Sequence, residues 1–327
     1  MKSFLNLIRW KNLVIVAVTM ILMRYAVIEA VISKISVTLI NSNGVPVPLS
    51  LKFPWYDFAV LVFATLLIAA GGYVINDYFD IKTDLINRGE VIVGTKIPRR
   101  QAMMWHNLLN IVGVAAGFYI SWRAGYFWLG TLFLIVSGLL YFYSASYKRQ
   151  FLIGNIVVSL LTAMVPMLVV LFEWPFLYRY YAVNATEMPP VGIIFLWIGG
   201  FSVFAFLTTL IREIIKDIED FEGDIAYGRN TVPVILGVLT SRIVSICLII
   251  ITLGLLYAIW YLYLHDKITL TYITLAIALP LLYTIFLLAK GKTRMQLHLA
   301  SSLMKIVMLT GILYSLLVKI MLTWNLL

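Results

Sequence analysis

The sequence predicts an all-α integral membrane protein whose nine transmembrane helices form a bundle. Three observations predict it. Hydrophobic residues make up 62% of the 327 and charged residues only 12%, about half the charged fraction of a soluble globular domain. The mean hydropathy is +0.97. Apolar runs of about 20 residues, the length that crosses a bilayer, recur along the chain. The alternating segments of a barrel strand are absent, and helices then satisfy every backbone group inside lipid.

Hydropathy places the spans at 12–33, 55–75, 103–121, 125–143, 152–172, 192–213, 234–262, 268–289 and 298–322. The first is too long for the apolar region of a secretory signal and has no small-residue cleavage site after it, so it is expected to stay as a helix. Gly71-Gly72 is a place where the second span could break. The outer loops 34–51 and 173–191 read as ordinary surface connections. Trp55, Trp174, Tyr178, Tyr180 and Tyr181 read as an interfacial aromatic belt. No long linker or low-complexity tract interrupts the chain, which predicts a single polytopic domain over residues 1–327.

Charge sets the expected orientation. Sixteen Lys and Arg fall in the loops on the N-terminal side, against five on the other: Lys34, Lys52, Arg123, Arg179 and Lys267. By the positive-inside rule the N-terminus is cytoplasmic and the C-terminus outside. The net charge of +10 is thereby accounted for by topology, and nucleic acid is not an expected partner. The single cysteine, Cys247, lies in an apolar run and is expected to pack there inertly. His106, His265 and His298 are scattered without metal-ligand spacing.

Two acidic segments carry the chemistry. NDYFDIKTD, at the end of span two, holds Asp77, Asp80 and Asp84; KDIEDFEGD, at the end of span six, repeats the spacing in Asp217, Asp220 and Asp224. Both fall on the expected cytoplasmic side. On a helix, positions i, i+3 and i+7 lie within about 60° of one another, so each triplet is expected to form one acidic stripe. The repetition suggests a parallel internal duplication with four helices per unit. Like charges on one face repel, and ionisable groups at membrane depth are costly, so a cation is expected to neutralise them. Oxygen ligands without Cys or paired His favour Mg²⁺ or Ca²⁺ over zinc. Mg²⁺ readily shares phosphate oxygens, which makes a phosphorylated ligand the expected companion. Nearby cations that could meet phosphate are Arg88, Arg99, Arg100 and Lys148, and best of all Lys216, which borders the second triplet as Asn76 borders the first.

At these residues the chain resembles the UbiA superfamily of intramembrane prenyltransferases. The first family motif, N-D-x-x-D-x-x-x-D, is matched by Asn76, Asp77, Asp80 and Asp84. The second, ending D-x-x-x-D, is matched by Asp220 and Asp224, with Lys216 and Asp217 upstream. The resemblance extends to YSASYKR at the end of span four and TVPVILG at the start of span seven. It implies a bundle around a central cavity, with the motifs facing each other under a cytoplasmic cap. It also implies two Mg²⁺ ions bridging the aspartates to a prenyl diphosphate. The prenyl group then passes to a lipid-like or aromatic acceptor, with the enzyme in the plasma (inner) membrane and its active site toward the cytoplasm. Asn76, Lys216 and the six aspartates are the expected catalytic residues.

The segment REIIKDIEDFEGD resembles the branch that adds a second geranylgeranyl chain to geranylgeranylglyceryl phosphate. After Asn87-Arg88 that branch continues with a Pro-rich R-P-I-x-S-G stretch, where this chain reads GEVIVGTKIPRR. An aromatic acceptor of quinone, haem or chlorophyll synthesis is the alternative. From other classes, a cation-coupled secondary transporter would place its acids on broken helices near the midplane. A CDP-alcohol phosphotransferase would need a D-G-x-x-A-R motif that this chain lacks.

Overall fold

The computed structural model describes residues 2–40, 43–81, 91–291 and 293–326. Among them, nine helices are long and apolar enough to cross a membrane: Trp10–Ile32, Trp55–Phe79, Arg99–Ala124, Phe127–Arg149, Ile153–Asn184, Ile193–Glu219, Val238–Leu264, Lys267–Lys290 and Arg294–Thr323. Each coincides with an expected span, and the protein is integral to the membrane. The chain divides into two compact units, Met1–Ala145 with Met164–Gly200, and Ser146–Ala163 with Phe201–Leu327. Helices Ile153–Asn184 and Ile193–Glu219 each pass from one unit to the other. The units therefore do not divide the chain at a simple repeat boundary.

The first unit opens with α1 (Lys2–Leu7) and α2 (Trp10–Leu22), which runs through a π-helical turn, Met23–Ile28, into α3 (Glu29–Ile32). Next come a hairpin, β1 (Ser36–Thr38) and β2 (Pro46–Pro48), and the helices α4 (Trp55–Phe79), α5 (Arg99–Ala124) and α6 (Gly130–Ala145). The glycine pair does not break α4. Instead it lets neighbours come close: a Cβ on Gly71 would lie 2.3 Å from Asn110 Nδ2, and one on Gly72 would lie 3.0 Å from Leu140 Cδ1. His106 Nδ1 donates to the Gly71 carbonyl over 2.9 Å, and Ser137 Oγ donates to Asn110 Oδ1 over 2.6 Å. His106 is therefore a buried structural ligand of the α4 backbone.

The loops 34–51 and 173–191 are more built than the sequence suggests. The long helix α7 (Ile153–Asn184) does not stop at residue 172 but continues through Pro175, because its extension has partners. Arg24 and Glu173, 2% and 0% exposed, pair through Nε and Oε2 at 3.0 Å. Glu173 Oε1 also accepts from the backbone N–H of Lys52 and Phe53, both at 3.0 Å. Arg24 donates to the Phe53 carbonyl and to Tyr25 Oη, and its guanidinium stacks 4.6 Å from the Phe58 ring centroid. Tyr181 is buried and its hydroxyl accepts from Ser50 N at 2.9 Å, while Lys52 Nζ sits 3.7 Å from the Tyr180 ring centroid. Of the expected aromatic belt, Trp55 and Tyr178 are exposed as a belt requires, but Tyr181 is a fastening for the loop. The hairpin is tied to the end of α7 by Ile40 N to Asn184 O at 2.9 Å and Thr186 N to Thr38 O at 3.0 Å.

The second unit contains α8 (Ile193–Glu219) from residue 201 onward, the short helices α9 (Phe221–Ala226) and α10 (Val232–Leu236), then α11 (Val238–Ile259), α12 (Lys267–Tyr272), α13 (Leu279–Lys290) and α14 (Arg294–Thr323). TVPVILG is thus a helical turn of its own, ended by Gly237 at φ 82°, and the seventh span starts at Val238 instead of residue 234. Ile211, Ile214, Ile215, Ile218, Ile249, Leu281, Met304 and Val307 form the core. Arg242 Nη1 donates to the Gly291 carbonyl at 2.6 Å, satisfying the end of α13. Thr293 and Gln296 cap α14 reciprocally. Cys247 is on an exposed face instead of packed inside.

Candidate active site

The middle aspartate of each motif ends a long helix. Asp80 closes α4 with φ −92° and ψ 4°, and Asp220, between α8 and α9, has φ −94° and ψ 8°. Each backbone N–H bonds four residues back, Asp80 to the Asn76 carbonyl at 3.0 Å and Asp220 to the Lys216 carbonyl at 2.9 Å. These dihedrals leave the helical well for the sparsely used bridge region. The duplicated spacing therefore comes with a duplicated backbone bend at the middle residue. In the second motif the chain turns at Asp220, and Asp224 belongs to the next element, α9, instead of continuing one straight stripe.

In the first unit, Asp77 is half-buried and Asp80 buried. Arg9 Nη2 lies 2.8 Å from Asp77 Oδ1, and its guanidinium stands 5.0 Å from the Tyr73 ring centroid. Arg9 has left-handed backbone angles, φ 49° and ψ 53°, at the junction of α1 and α2. Its part was not read from the sequence; a lone basic residue before the first span looks like any other topology signal. Arg99 and Arg100 begin α5, both exposed, and Arg99 stacks 4.9 Å from the Tyr78 ring centroid, two residues from Asp80. The departure GEVIVGTKIPRR is seen from Val91 onward: Val93 and Ile97 pack with Leu7, Val74 and Ala102 over the end of α4. Asp84 and Arg88 lie outside the described residues.

In the second unit, Asn155 Nδ2 donates to Asp217 Oδ2 at 2.8 Å. Asn155 is buried and its carbonyl accepts from Ser159 Oγ at 2.6 Å. The 3₁₀ turn Tyr147–Arg149, which carries Lys148, packs beside it because residue 154 is glycine. A Cβ there would meet Lys148 Cα at 2.7 Å. The Arg149 carbonyl accepts from Asn230 N at 2.9 Å, so Lys148 is held to the segment that follows the second motif. Lys216 is half-buried on the last turn of α8. Asp220 Oδ1 is 3.6 Å from Arg294 Nη2, and Asp224 Oδ1 is 3.5 Å from Arg229 Nη1. Burial raises the Asp224 carboxyl above its ordinary range, with Arg229 opposing the shift. On the far side of α8, Glu219 Oε1 meets His298 Nδ1 at 2.9 Å, a contact the scattered histidines gave no hint of.

Among the described residues, no three carboxylate, imidazole or thiol groups converge as a closed metal cage. The donor chemistry still fits Mg²⁺, which takes one or two carboxylates and completes its shell with water and phosphate oxygens. Asp224 Oδ1 is buried and accepts no hydrogen bond among the described residues; it faces Arg229 at ion-pair distance, and such an oxygen still has lone pairs suited to a metal cation.

The family profile described as UbiA prenyltransferase matches residues 47–309. The digeranylgeranylglyceryl phosphate synthase of Thermococcus kodakarensis is 31% identical over 255 residues, which cover 77% of this chain and 82% of the relative. That of Methanobrevibacter smithii is 34% identical over 230 residues, covering 70% and 72%. Solved structures share the fold. A digeranylgeranylglyceryl phosphate synthase in membranes has a TM-score of 0.62 at 24% identity, covering 96% of this chain and 98% of its own. A UbiA homologue from Archaeoglobus fulgidus, bound to DMAPP and Mg²⁺, has a TM-score of 0.54 at 17% identity, covering 96% and 99%. The match spans both motifs and most of the helices, and the chain belongs to the UbiA prenyltransferase family.

Proposed function

We propose that this protein transfers a geranylgeranyl group from geranylgeranyl diphosphate to the free hydroxyl of geranylgeranylglyceryl phosphate, in a Mg²⁺-dependent reaction. What carries the reading is the pair of aspartate bends with matching backbone geometry, in a chain whose 31%- and 34%-identical relatives are named for that product. The unbroken α4 at Gly71-Gly72 speaks against the broken helices of a transporter.

In this reading Asp77, Asp80 and Asp84, with Asp217, Asp220 and Asp224, supply the carboxylates for two Mg²⁺ ions, and Asn76 and Lys216 contact the diphosphate. Mg²⁺ supplies charge stabilisation to the departing diphosphate. Arg99, Arg100, Lys148 and the sequence neighbour Arg88 add donors for its oxygens, and Arg9 joins them from its seat on Asp77. Asn155 holds the Asp217 carboxylate in one orientation. The apolar helices keep water away from the allylic centre, so that the acceptor and not water captures it. Residues 1–327 act as one domain, as a family match running from 47 to 309 supports. The excess of Lys and Arg on the N-terminal side supports a cytoplasmic N-terminus and a cytoplasmic active site in the plasma membrane.

The test is product analysis with Asp80→Ala and Asp220→Ala. Each is expected to lower transfer at least about 100-fold, the effect of removing a group that stabilises transition-state charge, while the protein stays monodisperse in detergent. Transfer within a few-fold of the parent in both variants would overturn the reading.

A further inference from the structure

Helix α8 carries a polar line that the aspartate motif does not account for. Taking 100° per residue, Ser202, Thr209, Glu213, Lys216, Asp217 and Asp220 all fall within about 60° of one direction. From Ser202 to Asp220 the line rises about 27 Å along the axis of α8. Ser202 and Thr209 are 6% and 4% exposed, so the line is turned into protein and away from lipid. Neither Ser202 Oγ nor Thr209 Oγ1 has a hydrogen-bond partner among the described residues. Buried hydroxyls are ordinarily paired, and Ser or Thr in a helix has the i−4 carbonyl within reach; Thr208, next door, uses it, donating to the Phe204 carbonyl at 2.7 Å. Two unpaired ones on a single face mark a place where a polar ligand completes the bonding.

Glu213 sits in this line between the hydroxyls and the motif. It is one turn from Asp217, about 6 Å along the axis, and its side chain is 12% exposed. Its partner is the adjacent Arg212, whose Nε has no hydrogen-bond partner among the described residues. A carboxylate within a membrane-spanning helix is costly and marks function unless paired structurally. Arg212 meets Glu213 through Nη1, which leaves Glu213 Oε2 and the Arg212 Nε–H for a ligand.

We propose that Glu213 is the general base of the transfer reaction and that Thr209, one turn from it, binds the polar end of a hydroxyl-bearing lipid acceptor. The inference rests on the prenyl-transfer reading above and adds to it the residues that take the acceptor's proton and hold its polar end. The allylic C–O bond of the donor breaks and its electron pair leaves with the diphosphate. The acceptor's hydroxyl oxygen forms the new C–O bond to the allylic carbon, and its proton passes to the Glu213 carboxylate. Atoms and charge balance without any further reactant. An alcohol needs this service because its oxygen keeps an acidic proton once the ether bond begins to form. Thr209, one turn from Glu213 on the membrane-inward side, is placed to hold the oxygen neighbouring the one that reacts.

The experiment uses the full-length protein in detergent with geranylgeranyl diphosphate, Mg²⁺ and geranylgeranylglyceryl phosphate, comparing the parent, Glu213→Gln and Glu213→Asp. Three quantities are read: Mg²⁺-dependent donor binding by intrinsic fluorescence, diphosphate release without acceptor, and ether product by mass analysis. The expected result is that Glu213→Gln binds donor within about twofold of the parent and still releases diphosphate, but forms ether at least about 100-fold more slowly, the usual share of a general base. Glu213→Asp, which keeps the carboxylate, is expected to recover part of that loss. Ether formation by Glu213→Gln within threefold of the parent overturns the proposal. So does a loss of donor binding equal to the loss of transfer, which would make Glu213 part of the metal site or the scaffold. If the parent itself forms no product from this acceptor, it is the proposed function that fails, and the parent control separates that outcome from the other two.

Discussion

Replacing Glu173 with glutamine tests what holds the Arg24–Glu173 end of the first unit. The change keeps shape and two of the hydrogen bonds, since Gln Oε1 can still accept from Lys52 N and Phe53 N as Glu173 Oε1 does. It removes the charge that faces Arg24 at 3.0 Å, and Arg24, 2% exposed, has no water to turn to. Breaking one partner of a buried pair costs about 3–5 kcal/mol, because the survivor stays charged and desolvated. The Phe58 ring face and the Phe53 carbonyl soften this, so the lower end, about 3 kcal/mol, is expected. At roughly 2–4 °C per kcal/mol for a domain of a couple of hundred residues, the thermal midpoint in detergent falls by about 6–12 °C. The sharper control is the double variant Arg24→Met/Glu173→Met. A buried pair replaced by apolar groups of similar volume is often neutral or stabilising, so the double variant is expected to lie closer to the parent than Glu173→Gln does. A midpoint for Glu173→Gln within 2 °C of the parent, or a double variant worse than the single, would refute the reasoning.

The other expectations concern close approach and ligand orientation. Gly71→Ala puts a methyl 2.3 Å from Asn110 Nδ2, so Asn110 must give up its bond with Ser137. A loss of about 2–3 kcal/mol is expected from overpacking and the broken bond. Adding Asn110→Ala in that background is expected to return part of the loss, measured as the thermal midpoint in detergent. Asn155→Ala frees Asp217 from its 2.8 Å tether. The Mg²⁺ concentration for half-maximal donor binding is expected to rise about 10-fold or more, as it does when outer-shell partners of metal ligands are removed. Asn155→Asp, which sets a second carboxylate against Asp217, is expected to do no better; an unchanged Mg²⁺ requirement in Asn155→Ala would count against the tether.

Helix number and order were legible because lipid imposes one rule along the whole chain: each span must be apolar and about 20 residues long. The ends were less legible, for reasons particular to each. EWPFLYRYY looked like a loop start because it holds Pro175 and a charge at Glu173; it is helix because Arg24, far away in sequence, neutralises that charge. Gly71-Gly72 looked like a break and proved a contact, since a glycine's missing Cβ serves either purpose and only the neighbours at Asn110 and Leu140 decide. The aspartate triplets were legible as a repeated motif, but spacing alone assumes a continuous helix and so missed the bend at Asp80 and Asp220. Arg9 and Asn155 carried no local signal at all. Their meaning lies in pairs 68 and 62 residues apart, which no periodicity encodes.

The proposed role of the two aspartate motifs is Mg²⁺-dependent prenyl transfer to a lipid alcohol. Its most direct test is to incubate the purified protein with geranylgeranyl diphosphate and geranylgeranylglyceryl phosphate, with Mg²⁺ or with a chelator, and to weigh the lipid products. A doubly geranylgeranylated glyceryl phosphate is expected with Mg²⁺ and none with the chelator. No product under either condition, with no Mg²⁺-dependent binding of the diphosphate, would contradict it.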